Sequence, residues 1–256
     1  MRMTLLGLTV LSFAAMGATR EAAAVEIKVL TAGAFKQVLL AMVPDFEKQT
    51  GHKVTVQNDT VGALTKRIEG GEGFDIAVLT PRAVDDLAGK GKFVAGSRQN
   101  LARVGVGVVV KDGTPKPDIS SVDAFKKSLL AAKSVAYIDP AAGGSSGIYV
   151  SGLLDKLGIG AEVKAKAKLI HGGAVADHIA KGEAEVGIHQ ISEILPVKGI
   201  VLVGPLPSEI QNYTVYAAGL GANAKQAEAA KELVKALTGP AAAEVLKSKG
   251  MEPAGS

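Results

Sequence analysis

From residue 27 to residue 220, runs rich in β-branched residues alternate with amphipathic stretches at three-to-four spacing, and that alternation leaves few folds open. Residues 27–30, 53–57 and 75–80 read as strands. Between them, residues 35–49 carry Phe35, Val38, Leu39, Met42 and Phe46 on one helical face, and residues 61–69 form the next helix. Pro81 suits the first turn of a further helix. Residues 104–110 (VGVGVVV) read as a long buried strand, and Ser120 with Asp123 reads as the capped start of a helix ending near Ala132. The second half continues the style, with strands at 134–138, 164–170, 186–189, 200–203 and 213–220. Helices at 148–157 and 175–181 separate them, and two more follow the last strand. Strands joined by helices pair in parallel under helices on both faces, so the expected class is α/β with mostly parallel sheets.

The N-terminus predicts export. Arg2 precedes an uncharged apolar run over residues 4–16, and Ala22-Ala23-Ala24 then offers a small-residue cleavage site before Val25. The run is shorter than the roughly 20 apolar residues that span a bilayer. With no cysteine in the chain, a disulfide framework, a thiolate metal site, a cysteine nucleophile and a lipid-bearing cysteine are all excluded. Export without these features points to the periplasm of a Gram-negative bacterium. The formal charge is a mild +4 with scattered lysines, which argues against nucleic acid as a partner. Tryptophan is absent and aromatics are 4% of residues, which disfavours a sugar-stacking site.

Few residues carry chemistry. The stretch GGSSGIY, residues 143–149, follows a strand and opens a helix, where it serves either as a sharp turn or as an anion cradle of backbone N–H groups and hydroxyls. His171 and His178 lack the spacing of a metal pair, so neither a metal nor a cofactor is expected. His189 ends a strand, placed to touch a ligand or to serve structure alone. No Walker sequence and no paired glutamates for hydrolysis are present.

Several stretches resemble the periplasmic molybdate-binding proteins of ABC importers, within the type II periplasmic binding proteins: KVLTAGAFKQVL, PDFEKQTGHKV, GGEGFDIAVLTPRAVDDL, DPAAGGSSGIY, KGEAEVGIHQ and the late tyrosine strand. The resemblance implies two α/β lobes joined by two crossover strands. Residues 25–103 plus 212–256 would form lobe one and residues 104–211 lobe two, after a signal segment at 1–24. It further implies a small anion, molybdate- or tungstate-like, trapped by hinge closure of a monomer that docks on a membrane permease. Its contacts would fall on Thr31, Ala32, Gly33 and Ala34, on Thr60 and Val61, on Ser145, Ser146 and Gly147, and on Tyr213. Two positions depart from the family's pattern: Ala34 and Val61 stand where serines are usual, with Thr31 and Thr60 close by as substitutes. Each lost donor costs about 1–3 kcal/mol if its acceptor stays buried. A small di- or tricarboxylate is therefore the alternative ligand, with Arg82 and Arg103 either clamping a carboxylate or lying solvated at the surface. Asp59 either caps the helix at Val61 or meets an amine. The alternative class is a secreted enzyme on a similar two-lobed fold, in which Ser145 or Ser146 would need a neighbouring base.

Overall fold

A computed structural model describes residues 23–254, so the export segment lies, but for its last two residues, outside the described residues. In chain order, β1 (Glu26–Ala32), α1 (Gly33–Thr50), β2 (Lys53–Asp59), α2 (Val61–Glu69), β3 (Ile76–Leu79) and α3 (Pro81–Gly89) precede a long β4 (Gln99–Lys111). Then follow α4 (Val122–Ala131), β5 (Val135–Ile138), α5 (Ser145–Lys156), α6 (Gly160–Lys164), β6 (Ala167–Ile170), α7 (Val175–Ala180), β7 (Val186–Gln190), α8 (Ile191–Ile194) and β8 (Ile200–Pro205). The chain ends with β9 (Tyr213–Leu220), α9 (Ala227–Thr238), α10 (Pro240–Ser248) and a short β10 (Glu252–Pro253).

The strands run in the order β2-β1-β3-β9-β4-β7-β5-β6, with β8 and β10 also paired to β4. Strands linked by helical crossovers pair in parallel: β1 with β2 and β3, and β5 with β6 and β7. The sheet is nonetheless mixed, because β4 and β9 run against their neighbours. The first part of β4, through Gly105, pairs with β9, whereas Val106 onward pairs with β7 and β8. One strand thus serves both lobes. Gln211, on the return path from β8 to β9, accepts from Val106 N (2.8 Å) and donates to Val106 O (2.9 Å), tying the two crossings together.

The hydrophobic cores divide the same way. Two clusters draw on residues 27–104 and 216–251, under α1, α9 and α10 on one face and α2 and α3 on the other. Two more draw on residues 106–206, under α4 and α5 on one face and α7 on the other. Sheets covered on both faces explain the nearly unbroken apolar runs of β3 and β5.

Three local expectations need correcting. Helix α5 starts at Ser145, not Ile148, because Gly144 occupies the N-cap. The stretch 164–170 is not all strand: α6 closes at Lys164, whose ammonium reaches Asp155 at 2.7 Å, and β6 begins at Ala167. Ser121, not Ser120, caps α4, its Oγ accepting from Ala124 N at 3.1 Å.

Candidate functional site

Three helix N-termini converge on one cavity of about 200 Å³ between the lobes, with Gly33, Ala34, Thr60, Val61, Ser145 and Ser146 on its wall. Each helix follows a strand edge: α1 after β1, α2 after β2, and α5 after β5 and a 3-10 turn at Pro140–Ala142. Ala32 and Gly144 cap α1 and α5 without a side-chain bond, and none of the three helices has an acidic residue in its first turn. At α1 and α5, first-turn N–H groups with no side-chain acceptor, at the positive end of the helix dipole, make an anion seat; α2 adds its dipole, though Thr60 Oγ1 already takes Ala63 N.

The lobes touch at the cavity rim. Gly62 N donates to Gly143 O at 3.1 Å, and Thr60 Oγ1 donates to Ala142 O at 2.5 Å. A Cβ on Gly62 would stand 2.8 Å from Gly143 Cα, so the contact admits no side chain there. A Cβ on Gly33 would lie 2.5 Å from Glu193 Oε1, so a side chain there would displace the Glu193 carboxyl.

The remaining wall comes from His189, Gln190, Glu193 and Tyr216. His189 Nε2 lies 3.3 Å from Glu193 Oε2. Burial pushes the Glu193 carboxyl up to about 8, against the pull of the Lys36 ammonium, and burial pushes His189 down to about 3. At neutral pH the pair is therefore a protonated carboxyl beside a neutral imidazole. The other ring nitrogen, His189 Nδ1, is buried and has no partner. Tyr216 Oη donates to Gln190 Oε1 at 2.9 Å, and burial pushes its phenol upward. Gln190 Nε2 is likewise buried and without a partner. Two unpartnered polar nitrogens on residues of one cavity wall are a costly arrangement unless a partner meets them.

Of the residues singled out from sequence, Ala32, Gly33, Ala34, Thr60, Val61, Ser145, Ser146 and His189 line this cavity. Others do not. Thr31 is fully buried in β1, its hydroxyl donating to Ala32 O at 3.1 Å. Gly147 packs onto the end of β5, where a Cβ would meet Ile138 O. Arg82 is 93% exposed beside Asp86, and Arg103 pairs with Glu252 at 2.5 Å and lies over the Tyr213 ring. Tyr213 itself is 48% exposed; Tyr216, three residues on and so on the opposite face of β9, takes the inward place. Thr60, not Asp59, caps α2, its Oγ1 accepting from Ala63 N, while Asp59 Oδ1 accepts from Thr60 N at 2.8 Å. The Thr60 hydrogen is engaged by Ala142 and the Thr31 hydrogen by Ala32, so neither hydroxyl substitutes for the missing serines. Glu193, Gln190 and Tyr216 were not singled out from the sequence. The only hint was the i,i+4 spacing of His189 and Glu193, which says nothing about burial.

Two lobes closed over an anion seat define a periplasmic-binding-protein fold, the architecture of solute capture. The chain belongs to the family of bacterial extracellular solute-binding proteins, which it matches over residues 27–252. It is 34% identical over 233 residues to an aconitate isomerase of Pseudomonas sp., covering 89% of this chain and 87% of that one. It is 29% identical over 238 residues to the molybdate-binding protein ModA of Azotobacter vinelandii, covering 90% of each. Among solved structures, the A. vinelandii periplasmic molybdate-binding protein superposes with a TM-score of 0.76 at 21% identity, over 88% of this chain and 98% of that one. The Mycobacterium tuberculosis sulfate-binding protein SubI superposes with a TM-score of 0.73 at 16% identity, over 90% and 87%. Among the described residues no helix is long and apolar enough to cross a membrane.

Proposed function

We propose that the protein is a periplasmic receptor that captures a small organic acid, a di- or tricarboxylate, between its lobes and presents it as a monomer to an importer's permease. The lobes that close would be residues 25–103 plus 212–256 and residues 104–211. One observation carries the reading: where hydroxyls would circle a tetrahedral oxyanion, this cavity has the apolar side chains of Ala34, Val61 and Ile138 and the inward carboxyl of Glu193. A carbon skeleton suits an apolar wall, and a protonated carboxyl is a hydrogen-bond donor to a ligand carboxylate. With both arginines outside the cavity, the ligand's charge would rest on the N-termini of α1, α2 and α5, with Ser145, Ser146, His189 and Gln190 as donors. The relative named for aconitate, a tricarboxylate, supports the same ligand class.

The test is thermal unfolding against molybdate, tungstate, sulfate, phosphate and a panel of di- and tricarboxylates. A ligand at 100 times its Kd stabilises by about 2.7 kcal/mol. A shift with carboxylates supports the reading; a shift confined to the metal oxyanions overturns it.

One feature favours a second reading, in which the bound acid is isomerised. Glu193 and His189, 3.3 Å apart on the cavity wall, are shifted in opposite directions, and a carboxyl titrating near neutrality is matched to giving and taking a proton. Proton NMR in D2O separates the two: exchange of a carbon-bound hydrogen of the bound acid marks turnover, and binding without exchange marks a receptor.

A further inference from the structure

A second cavity, of about 520 Å³, adjoins the first and shares Gly33, Asn58, Gly173 and Glu193 with it. Its outer wall is built from both lobes. Lys36 comes from α1, Lys181 follows α7, and Lys198 lies in the loop before β8. Asp177 is the one other acidic residue on that wall besides Glu193. Lys36 is half-buried, and its ammonium is near enough to Glu193 to draw that carboxyl's affinity for a proton down. The inner chamber therefore offers helix ends and polar donors with the Asp59 carboxylate also on its wall, whereas the outer one offers three ammonium groups against one exposed carboxylate.

We propose that the outer cavity is a second subsite, in which Lys36 and Lys198, with Lys181 behind them, hold an outward carboxylate of a polycarboxylic acid whose first carboxylate sits in the inner cavity. This rests on the organic-acid reading above and narrows it: the ligand spans two chambers and carries at least two carboxylates. Glu193 stands at the wall common to both. In its protonated form it repels neither end of such a ligand and can donate to one of them. Because the lysines come from different lobes, the outer carboxylate closes the cleft by pairing with both sides at once, and a compact ion seated only in the inner cavity draws on none of them.

The experiment is calorimetric titration of wild type, Lys36→Gln, Lys198→Gln and the double variant with propane-1,2,3-tricarboxylate, butanedioate, acetate and molybdate. Glutamine is one atom shorter, stays polar and removes the charge at exposed or half-exposed positions, so folding is not at stake. Each single variant is expected to weaken tricarboxylate binding about five- to tenfold and the double variant more, while any acetate or molybdate binding changes less than twofold. An equal loss for every ligand would reduce the lysines to general attraction of anions and overturn the subsite. Unchanged tricarboxylate affinity in all variants overturns the subsite and leaves the organic-acid reading standing. Wild type that binds molybdate but no carboxylate, or that binds none of the four, overturns both.

Discussion

Replacing Gly62 with alanine separates lobe closure from folding. Gly62 lies in the first turn of α2, and alanine there is a better helix former by about 0.5–1 kcal/mol, so lobe one on its own gains stability. The closed state loses. The new Cβ would stand 2.8 Å from Gly143 Cα, and both partners are backbone that cannot swing aside. Opening the seam by the needed fraction of an ångström stretches the bond from Gly62 N to Gly143 O and the neighbouring one from Thr60 Oγ1 to Ala142 O. At about 1 kcal/mol for each, the closed form is disfavoured by about 2 kcal/mol, and a ligand that binds only that form loses roughly thirtyfold in affinity. Thermal unfolding of the ligand-free protein and calorimetric titration of whichever anion binds read the two effects separately. The expected result is an equal or higher Tm with weaker binding. Unchanged affinity would refute the argument that close backbone approach is required for closure, and a lower Tm would mean that the glycine serves folding instead.

Other expectations follow from the wall of the cavity. Glu193 holds its proton up to about pH 8 when folded and to about 4.5 when unfolded, so its contribution to stability is full below 4.5 and is lost as pH rises toward 8. His189 refuses a proton down to about pH 3 when folded but takes one near 6.5 when unfolded, so its contribution is full above 6.5 and is lost as pH falls toward 3. The two slopes oppose each other between 4.5 and 6.5, which predicts a plateau there with losses on either side; chemical denaturation across pH checks it, and Glu193→Gln should flatten the alkaline limb and turn the plateau into a rise with pH. Tyr216→Phe frees the buried Gln190 carbonyl and should weaken ligand binding by about 1–2 kcal/mol, whereas Tyr213→Phe should leave it unchanged, both read by titration. Arg82→Ala and Arg103→Ala should each change affinity less than twofold, and a tenfold loss in either would place that arginine in the ligand's shell after all.

Much of the architecture was legible because periodicity is local. The boundaries of α2 and β9 follow from apolar spacing and turn residues, with no knowledge of what they pack against. The loop at 143–149 was legible as a possible anion cradle for the same reason, since small residues ahead of a helix leave its first N–H groups open. The site's polar residues were harder. Tyr213 and Tyr216 are indistinguishable by composition; only the parity of β9 relative to the cleft separates them. Arg82 follows a strand that points toward the cleft, yet its side chain turns along the outer face of α3 to Asp86.

The amino-acid order alone determined most of the elements and their sequence along the chain, since each depends on neighbours a few residues away. Tertiary structure decided which groups share the cavity and in what ionic form. Glu193 is an ordinary surface-type carboxyl by sequence, and it becomes a neutral acid only because α1 of one lobe and α8 of the other close over it and remove its water. Desolvation of that kind is a property of two distant segments brought together, and no local pattern encodes it.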